Sequence, residues 1–519
     1  MDDDHYVKPA SPAPQNKKGV GILGLTTMLY FLVTSGPFGI EPTVQAAGLF
    51  WAVVGVIIIP LLVSLPQGVI YSEMSSFFPF MGSTIMWGQS TANIAKTNMQ
   101  NDASIKNKIK FGSLQFLSHL NAHTLLLKAM FDNAMYPAMF CDYVAILWPG
   151  IDKPYFRVLV AFVQFVFVGI LNLYGLDVAG IAQYVIGVLI LSPIVIFVLL
   201  SLNSWNFEHF SIANTPQNPD FQTLISTIIW CCTGFDQATN ISSEVIKPSR
   251  TYPISYLNCV ILMILTYLFP LLAAGMMQQD TELYVNGAFA SISQKLIFCG
   301  NGWLSYWLVF SGAFSSLTIL NCCVSSTSRE VYQNAKQGLL PFGRWVGVLK
   351  CFKKNTDVND FNITESEADK FGMVPHFGIL AVSIVPTLLL IFDYEFLIQC
   401  DAILIIVAMF FNIIFYVIAK HGKDGFLRQN KFRQDIFLMK GGIYSTILII
   451  LCPLAVGFAL LYFEGGMLMF YWVVGMVILM TFSGLYALIQ KWQSQKAHRA
   501  SNYDYLDTRN QSEMISSAL

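Results

Sequence analysis

Charge is scarce in this sequence of 519 residues: only 12% are Asp, Glu, Lys or Arg, whereas 55% are hydrophobic. Together with a mean hydropathy of +0.56, this composition excludes an ordinary soluble enzyme of several domains. The net charge of -1 offers no basic surface to a nucleic acid, so no such partner is expected. The chain is therefore predicted to lie in a bilayer, with membrane lipid around it.

Three short motifs are also absent, and each absence removes a class of protein. Without a GxxxxGK(S/T) loop, an ATP-driven pump is disfavoured. Without a CxxC pair, the ten cysteines indicate neither a metal site nor a disulfide framework. An intramembrane aspartyl protease, the enzyme alternative, needs a GxGD element that the chain does not contain. We therefore predict no enzymatic activity, no metal site and no organic cofactor.

Apolar segments long enough to cross a ~30 Å hydrocarbon core recur along the chain. An even number of crossings returns both termini to one side, and Lys and Arg mark the cytoplasmic side. Because 26 of the 30 Lys and Arg residues fall on the side of the termini, both termini are predicted to be cytoplasmic. The twelve predicted crossings are 20–48, 49–72, 113–146, 157–174, 178–202, 221–243, 254–277, 303–327, 374–392, 396–419, 441–463 and 467–489.

The predicted organisation has four parts. A cytoplasmic tail (1–19) precedes a core of ten crossings (20–420). Two further crossings follow in 421–489, and a second cytoplasmic tail (490–519) ends the chain.

Two of the predicted crossings contain sequences that interrupt a helix. The first carries SGPFG at 35–39, and the sixth carries TGFD at 233–236. Backbone groups in hydrocarbon need partners, so a broken helix is tolerated only where protein covers it or where a solute and water use its free groups. Helix packing is the alternative role for these glycines. The correspondence predicts an inverted repeat of about 20–202 and 221–419, whose broken helices meet near the midplane and bind a solute.

Three aspartates lie inside predicted crossings, where a charge costs roughly 2.5 to 3.5 kcal/mol and needs a partner or a task. Asp236 lies beside the second break, where helix carbonyls add to its negative field, so an ammonium group is the natural ligand. Asp132 follows Lys128 by four residues on one helical face, and is either a ligand or half of a structural ion pair. Asp401 is a solute ligand, a proton carrier or a group at the outer mouth. Glu41 is an outer-vestibule charge or a helix-end partner.

The residues predicted to bind a solute are the two breaks and the carboxylates and aromatic rings near them. Aromatic rings can add cation–π contacts worth about 1 to 2 kcal/mol when desolvated. In chain order the candidates are Ser35, Gly36, Pro37, Phe38, Gly39, Asp132, Tyr136, Trp230, Gly234, Phe235, Asp236 and Asp401.

Transport without an ATP-binding loop must be secondary. The membrane potential draws a cation inward by ~2.3 kcal/mol per charge per 100 mV, and a buried carboxylate can couple a proton. The predicted coupling ion is therefore H⁺, with Na⁺ as the alternative.

Five motifs occur in an order that resembles the amino acid-polyamine-organocation (APC) superfamily, and more narrowly the polyamine uptake transporters of plants and kinetoplastid protozoa. The resemblance implies an all-α membrane protein of twelve transmembrane helices, with a leucine-transporter-like five-plus-five inverted repeat and broken helices 1 and 6. It also implies proton-coupled symport of polyamines or amino acids, mostly cationic, by alternating access. The motifs are SGPFGIE (35–41), DNAMYP (132–137), LNLYGL (171–176), the stretch 230–253, and SREVY (328–332) with Ala335, Gly338 and Pro341.

The resemblance also implies roles for particular residues. Asp236 falls where relatives carry an acidic substrate residue, and Glu244 falls where they carry a glutamate near the cytoplasmic gate. Arg329 lies in the loop that follows helix 8 in the superfamily. With Glu41, these last two are the predicted gating or coupling residues.

Three features depart from the pattern of these transporters and keep amino acids open as substrates. The segment Phe80–Gly82 replaces the Asn-Gly-Gly usually seen after helix 2, Lys128 takes a position that is usually small, and Cys323 and Thr327 stand where some relatives have acidic groups. The alternatives are therefore a neutral or broad amino-acid permease or exchanger, or a nutrient sensor on a carrier scaffold. No disulfide-linked heavy subunit is expected, because the outer loop 147–156 has no cysteine. The expected location is the plasma membrane, with an endocytic or vacuolar membrane as the alternative.

Overall fold

The computed structural model describes residues 20–34, 36–78, 84–92, 105–174, 177–240, 242, 245–296, 302–336, 340, 346–348, 374–390, 392, 394–422, 436–462 and 475. Regular structure in these ranges is helical, apart from an isolated bridge between Val20 and Val245. The all-α class implied by the resemblance is therefore confirmed for this part of the chain.

The helices are numbered here in chain order. Most are largely apolar, and an α-helix pairs the backbone groups of its interior within itself, as hydrocarbon requires. Their bounds are α1 Ile22–Val33, α2 Pro42–Phe77, α3 84–92, α4 Ile105–Ala145, α5 Pro154–Tyr174, α6 Asp177–Ser201, α7 Phe221–Cys232, α8 Pro248–Met277, α9 Ala288–Ser293, α10 Trp303–Lys336, α11 His376–Leu389, α12 Tyr394–His421 and α13 Gly442–Tyr462.

Seven of the described helices, α2, α5, α6, α8, α10, α12 and α13, are long and apolar enough to cross a membrane, and α1 and α11 are shorter apolar helices. The protein is thus a multi-pass membrane protein. Most of the twelfth predicted crossing (467–489) and both tails (1–19 and 490–519) lie outside the described residues. The count of twelve, the five-plus-five repeat, the domain boundaries and the cytoplasmic termini stay predictions.

The first break separates α1 from α2. Gly39, within it, has φ +84°, in the left-handed region that favours glycine. A Cβ at Gly39 would come within 3.1 Å of the Met139 sulfur and of the Trp230 ring, so the chain passes too close to α4 and α7 for a side chain. Farther on, α2 kinks at Gly48, where φ is 84° and ψ is 166°. Residues 42–47 therefore form a short second half of the predicted first crossing.

The second break follows α7, which ends at Cys232 and is 12 residues long, as α1 is. An irregular segment and the short 3₁₀ turn Gln237–Asn240 come after it, and α8 begins at Pro248. A Cβ at Gly234 would lie 3.7 Å from the carbonyl oxygen of Leu32 in the last turn of α1. The two breaks therefore lie against each other, as their sequences predict.

Helices α4 and α12 pack side by side and run antiparallel. Leu114 clusters with Ile418, and Leu125 with Ala408, so positions rise along α4 while they fall along α12. Between these contacts, the Asn121 amide donates to Asn412 Oδ1 at 3.4 Å. This register determines which side chains of the two helices stand at the same level.

Candidate functional site

Hydroxyl groups of neighbouring helices occupy carbonyls at and after the end of α7. The donors come from α2 and α8, so they approach the break from outside the segment that carries it. The pairs are Ser64 to Cys232 (2.6 Å), Tyr267 to Cys231 (3.1 Å), Tyr256 to Phe235 (3.1 Å) and Tyr252 to Ala238 (3.2 Å). These carbonyls already have partners, so a cation beside the break depends on carboxylates rather than on the free carbonyls expected from the sequence.

Asp236, in this break, forms a buried ion pair with Lys128 of α4. The Lys128 Nζ lies 2.6 Å from Asp236 Oδ2, and the two side chains are 6% and 8% exposed. The sequence suggested Asp132 as the partner because it lies one turn from Lys128; that pairing is wrong, since the lysine bonds the aspartate of the break instead. The flexible lysine stem allows the ammonium to leave its own helix. Within the described residues, Lys128 is the hydrogen-bond partner of the Asp236 carboxylate.

Asp132 is held by three other donors. Its Oδ1 accepts from Tyr136 Oη at 2.6 Å and from Trp230 Nε1 at 3.2 Å, and its Oδ2 accepts from Gln237 Nε2 at 3.1 Å. Tyr136 and Trp230, predicted as cation–π walls, are thus hydrogen-bond donors to a carboxylate. The arrangement ties α4 to α7 and to the turn after the second break.

Asp401 has no hydrogen-bond partner for its carboxylate among the described residues. Its side chain is fully buried on α12, and neither carboxylate oxygen has a hydrogen-bond partner among the described residues. Asp132 lies eleven residues after Asn121 and Asp401 lies eleven before Asn412, so the antiparallel register places the two aspartates at one level. The alternative of an exposed group at the outer mouth is therefore wrong. A buried unpartnered carboxylate is costly and needs a cation or a proton.

A cavity of about 10 Å³, roughly the room that one water molecule needs, lies beside the Lys128–Asp236 pair. It is smaller than the roughly 300 to 1,000 Å³ of typical small-molecule pockets. Asp401 lies one turn before Ile405, on the face of α12 that lines the cavity. The lining residues are Gln67, Tyr71, Lys128, Thr233, Gly234, Asp236, Ile405, Ala408, Met409 and Asn412.

Glu41 joins the end of the first break to α4 and to the segment before α9. Its Oε1 accepts from Tyr143 Oη at 2.7 Å and from the Gly287 amide at 3.2 Å, and its Oε2 accepts from the Gly39 amide at 2.8 Å. The side chain is fully buried. The carboxylate bonds no amide of α2, at whose start Glu41 stands; its two amide partners lie in the first break and just before α9.

Glu330 is a buried acidic residue that the sequence analysis did not single out. It was placed in a cytoplasmic loop beginning at 328, but α10 continues to Lys336 and buries it. Its Oε1 accepts from Asn240 Nδ2 at 2.9 Å, in the turn after the second break. The neighbouring Arg329, a predicted gating residue, donates to the Ser325 carbonyl at 2.9 Å on the same helix.

The remaining predicted site residues either pack around the breaks or lie outside the described residues. Gly36 and Pro37 are buried in the first break. The rings of Phe38 and Phe235 pack edge-on against tyrosines of α4 and α8, with centroids 5.2 Å apart in each pair. Two of the predicted residues, Ser35 and Glu244, lie outside the described residues.

Comparisons with known proteins agree on one family. A family model described as amino acid permease matches residues 21–479. Polyamine transporter RMV1 of Arabidopsis thaliana is 27% identical over 357 residues, which cover 67% of this chain and 68% of that protein. Polyamine transporter PUT1 of Oryza sativa subsp. japonica is 28% identical over 331 residues, which cover 64% of this chain and 58% of that protein.

A more distant relative has a different stated substrate. Cationic amino acid transporter 8, vacuolar, of Arabidopsis thaliana is 25% identical over 239 residues, which cover 44% of this chain and 40% of that protein. Across these three relatives, the chain spans between 40% and 68% of their own length.

Proposed function

We propose, from the premise that this chain belongs to the amino acid permease family, that it is a secondary transporter of small organic cations. Polyamines are the favoured substrates and cationic amino acids the second choice. The names of the relatives support both classes, since five of them are polyamine transporters or probable polyamine transporters and one is a cationic amino acid transporter.

The observation that carries the proposal is the set of buried carboxylates around the two breaks. Asp132, Asp236 and Asp401 lie within electrostatic range of one another, and Lys128 is the cation found among them. Three carboxyl groups with one lysine leave two acidic groups without a lysine partner in a region closed to solvent, and each must take a proton or a cation from a solute. Such a set suits a solute with more than one ammonium group.

Alternating access supplies the route in this proposal. The twelve-helix, five-plus-five arrangement would place the two breaks at the interface of the repeats, where one bundle rocks against the other around a fixed site. The cavity of about 10 Å³ is too small for a polyamine, so we assign the described conformation to a closed state between the two open ones.

Proton coupling is part of the same proposal. A buried carboxylate can take a proton on one side of a membrane and release it on the other. In proteoliposomes, an inward proton gradient should accelerate uptake of radiolabelled putrescine, and replacement of Na⁺ by choline should leave the rate unchanged. Equal rates with and without the proton gradient would contradict the coupling while leaving the substrate assignment intact.

Asp236→Asn tests the substrate site. We expect the variant to reach the membrane and to lose putrescine uptake, because the carboxylate that would hold the substrate ammonium is gone. Asp220→Asn is the matched control, since Asp220 is an exposed cap of α7. Normal uptake by Asp236→Asn, measured against surface expression, would remove this residue from the site.

A competition panel separates the two substrate classes. Spermidine, putrescine, arginine, lysine and leucine would each compete with radiolabelled putrescine in the same vesicles. Displacement by the polyamines and not by leucine supports a cation carrier, whereas displacement by leucine supports a broad amino-acid permease.

A further inference from the structure

The cation site at the second break is already occupied by a part of the protein. The Lys128 ammonium lies 2.6 Å from Asp236 Oδ2, the distance expected of a charge-assisted hydrogen bond. A substrate ammonium that needs the Asp236 carboxylate must therefore displace Lys128. The displaced ammonium then needs another buried partner, because an unpaired charge in this region is costly.

Asp132 is unsuited to receive the displaced lysine. It already accepts hydrogen bonds from a tyrosine, a tryptophan and a glutamine, and those donors fix its orientation. A further cation there would have to break or bend an existing bond.

Asp401 has the properties that Asp132 lacks. Both of its carboxylate oxygens are buried and unpartnered within the described part of the chain. The antiparallel register of α4 and α12 places Asp401 level with Asp132, one helical turn from Lys128. The ammonium at the end of the flexible four-carbon stem of Lys128 already lies within electrostatic range of Asp401 on the neighbouring helix.

We propose that Lys128 is a tethered cation that occupies Asp236 in the absence of substrate and moves to Asp401 when a substrate ammonium takes its place. This inference rests on the proposed function, because it names the residues that compete with the substrate and that make room for it. In this scheme Asp401 receives the displaced ammonium of Lys128, and Lys128 helps to determine the affinity for the substrate cation.

The two residues then have opposite effects on binding. Removing the Lys128 charge removes the competitor, so a diamine should bind more tightly. Removing the Asp401 charge removes the alternative partner of the lysine, so a diamine should bind more weakly. In the double variant no lysine has to be displaced, and the loss caused by the asparagine should largely disappear.

The experiment measures the Kd of radiolabelled putrescine on the purified full-length protein in detergent. We expect Lys128→Met to lower Kd by about tenfold or more, equivalent to about 1.4 kcal/mol. Asp401→Asn should raise Kd by at least as much, and the double variant should resemble Lys128→Met. Lys153→Met is the matched control, because Lys153 is exposed and its replacement changes the net charge equally. Gel filtration confirms that each variant is folded, and Lys128→Gln repeats the test if methionine is not tolerated.

The outcomes separate this inference from the proposed function. If the wild type binds putrescine and folded Lys128→Met binds it equally or less tightly, the lysine is a structural partner and the inference fails alone. An unchanged Kd in Asp401→Asn likewise removes Asp401 as the receiving group. If neither the wild type nor Lys128→Met binds any cation of the panel, both the inference and the proposed function fail.

Discussion

Two lysine–carboxylate pairs are buried in the described part of this protein, and their surroundings differ. Lys420 on α12 lies 2.7 Å from Glu73 Oε2 on α2, and both side chains are fully buried. The same carboxylate accepts from Tyr416 Oη at 2.9 Å and from the Met439 amide at 2.7 Å. Each carboxylate oxygen of Glu73 therefore has more than one donor.

The carboxylate of the Lys128–Asp236 pair has fewer hydrogen-bond donors around it in the described part of the chain. This carboxylate has one partner among the described residues and borders a cavity, and Asp401, unpartnered, stands within electrostatic range. Both pairs have a cost of desolvation. The Glu73 pair offsets it with hydrogen bonds from α12 and from the segment before α13. In the Asp236 pair, part of the desolvation cost is not offset by hydrogen bonds, as expected of a carboxylate that exchanges partners.

The largest predicted effect concerns the Lys420–Glu73 pair. Lys420→Met should lower the free energy of unfolding by roughly 3 to 5 kcal/mol, because it leaves the buried Glu73 charge without compensation. Unfolding in mixed detergent and SDS micelles would measure the change. Lys440→Met, an exposed substitution of the same type, is the control. A loss below about 1 kcal/mol would remove the distinction between the two pairs.

A smaller effect is expected at the Lys128–Asp236 pair. Lys128→Met should lower the free energy of unfolding by roughly 1 to 3 kcal/mol, less than Lys420→Met, because Asp236 borders a cavity and loses a donor to one oxygen, whereas Lys420 donates to both oxygens of Glu73. Putrescine should restore the lost stability, since a ligand at 100 times its Kd stabilises by about 2.7 kcal/mol. The same ligand should not restore Lys420→Met. If putrescine restored the stability of both variants, or of neither, the Lys128–Asp236 pair could not be distinguished from the Lys420–Glu73 pair as the ligand site.

The smallest predicted effect concerns a second donor to Glu73, the Tyr416 hydroxyl. Tyr416→Phe removes one donor to Glu73 but leaves Lys420 and the Met439 amide, so the expected loss is about 1 kcal/mol in the same assay. Tyr444→Phe on α13 is the control, because that tyrosine is 82% exposed. A loss comparable with that of Lys420→Met would mean that the tyrosine, and not the ion pair, holds these helices together.

The sequence predicted the family, the helical class and the positions of both breaks. The family match over residues 21–479 confirms the resemblance. The breaks were predictable because glycine and proline act locally: residues 34, 36–41 and 233–236 lie outside regular α-helix. The burial of Asp132, Asp236 and Asp401 was predictable from their place within long apolar segments.

Partners far apart in the sequence were not predictable in the same way. Lys128 and Asp236 are 108 residues apart, and no pattern along the chain indicates that they meet. The end of α10 was also misplaced, because polar residues after 327 suggested a loop where the helix continues and buries Glu330. One usable signal was overlooked: Tyr252, Tyr256 and Tyr267 are spaced by 4 and 11 residues on one face of α8.

The hydroxyl groups that occupy carbonyls of the second break come from α2 and α8. The irregular geometry of this segment is therefore maintained by its neighbours in the bundle as well as by its own glycine. Taken out of the bundle into a micelle, a peptide of residues 221–243 would lose those hydroxyls and would gain by closing its own helical hydrogen bonds. The unwound form is thus a tertiary property, acquired only when the helices have assembled.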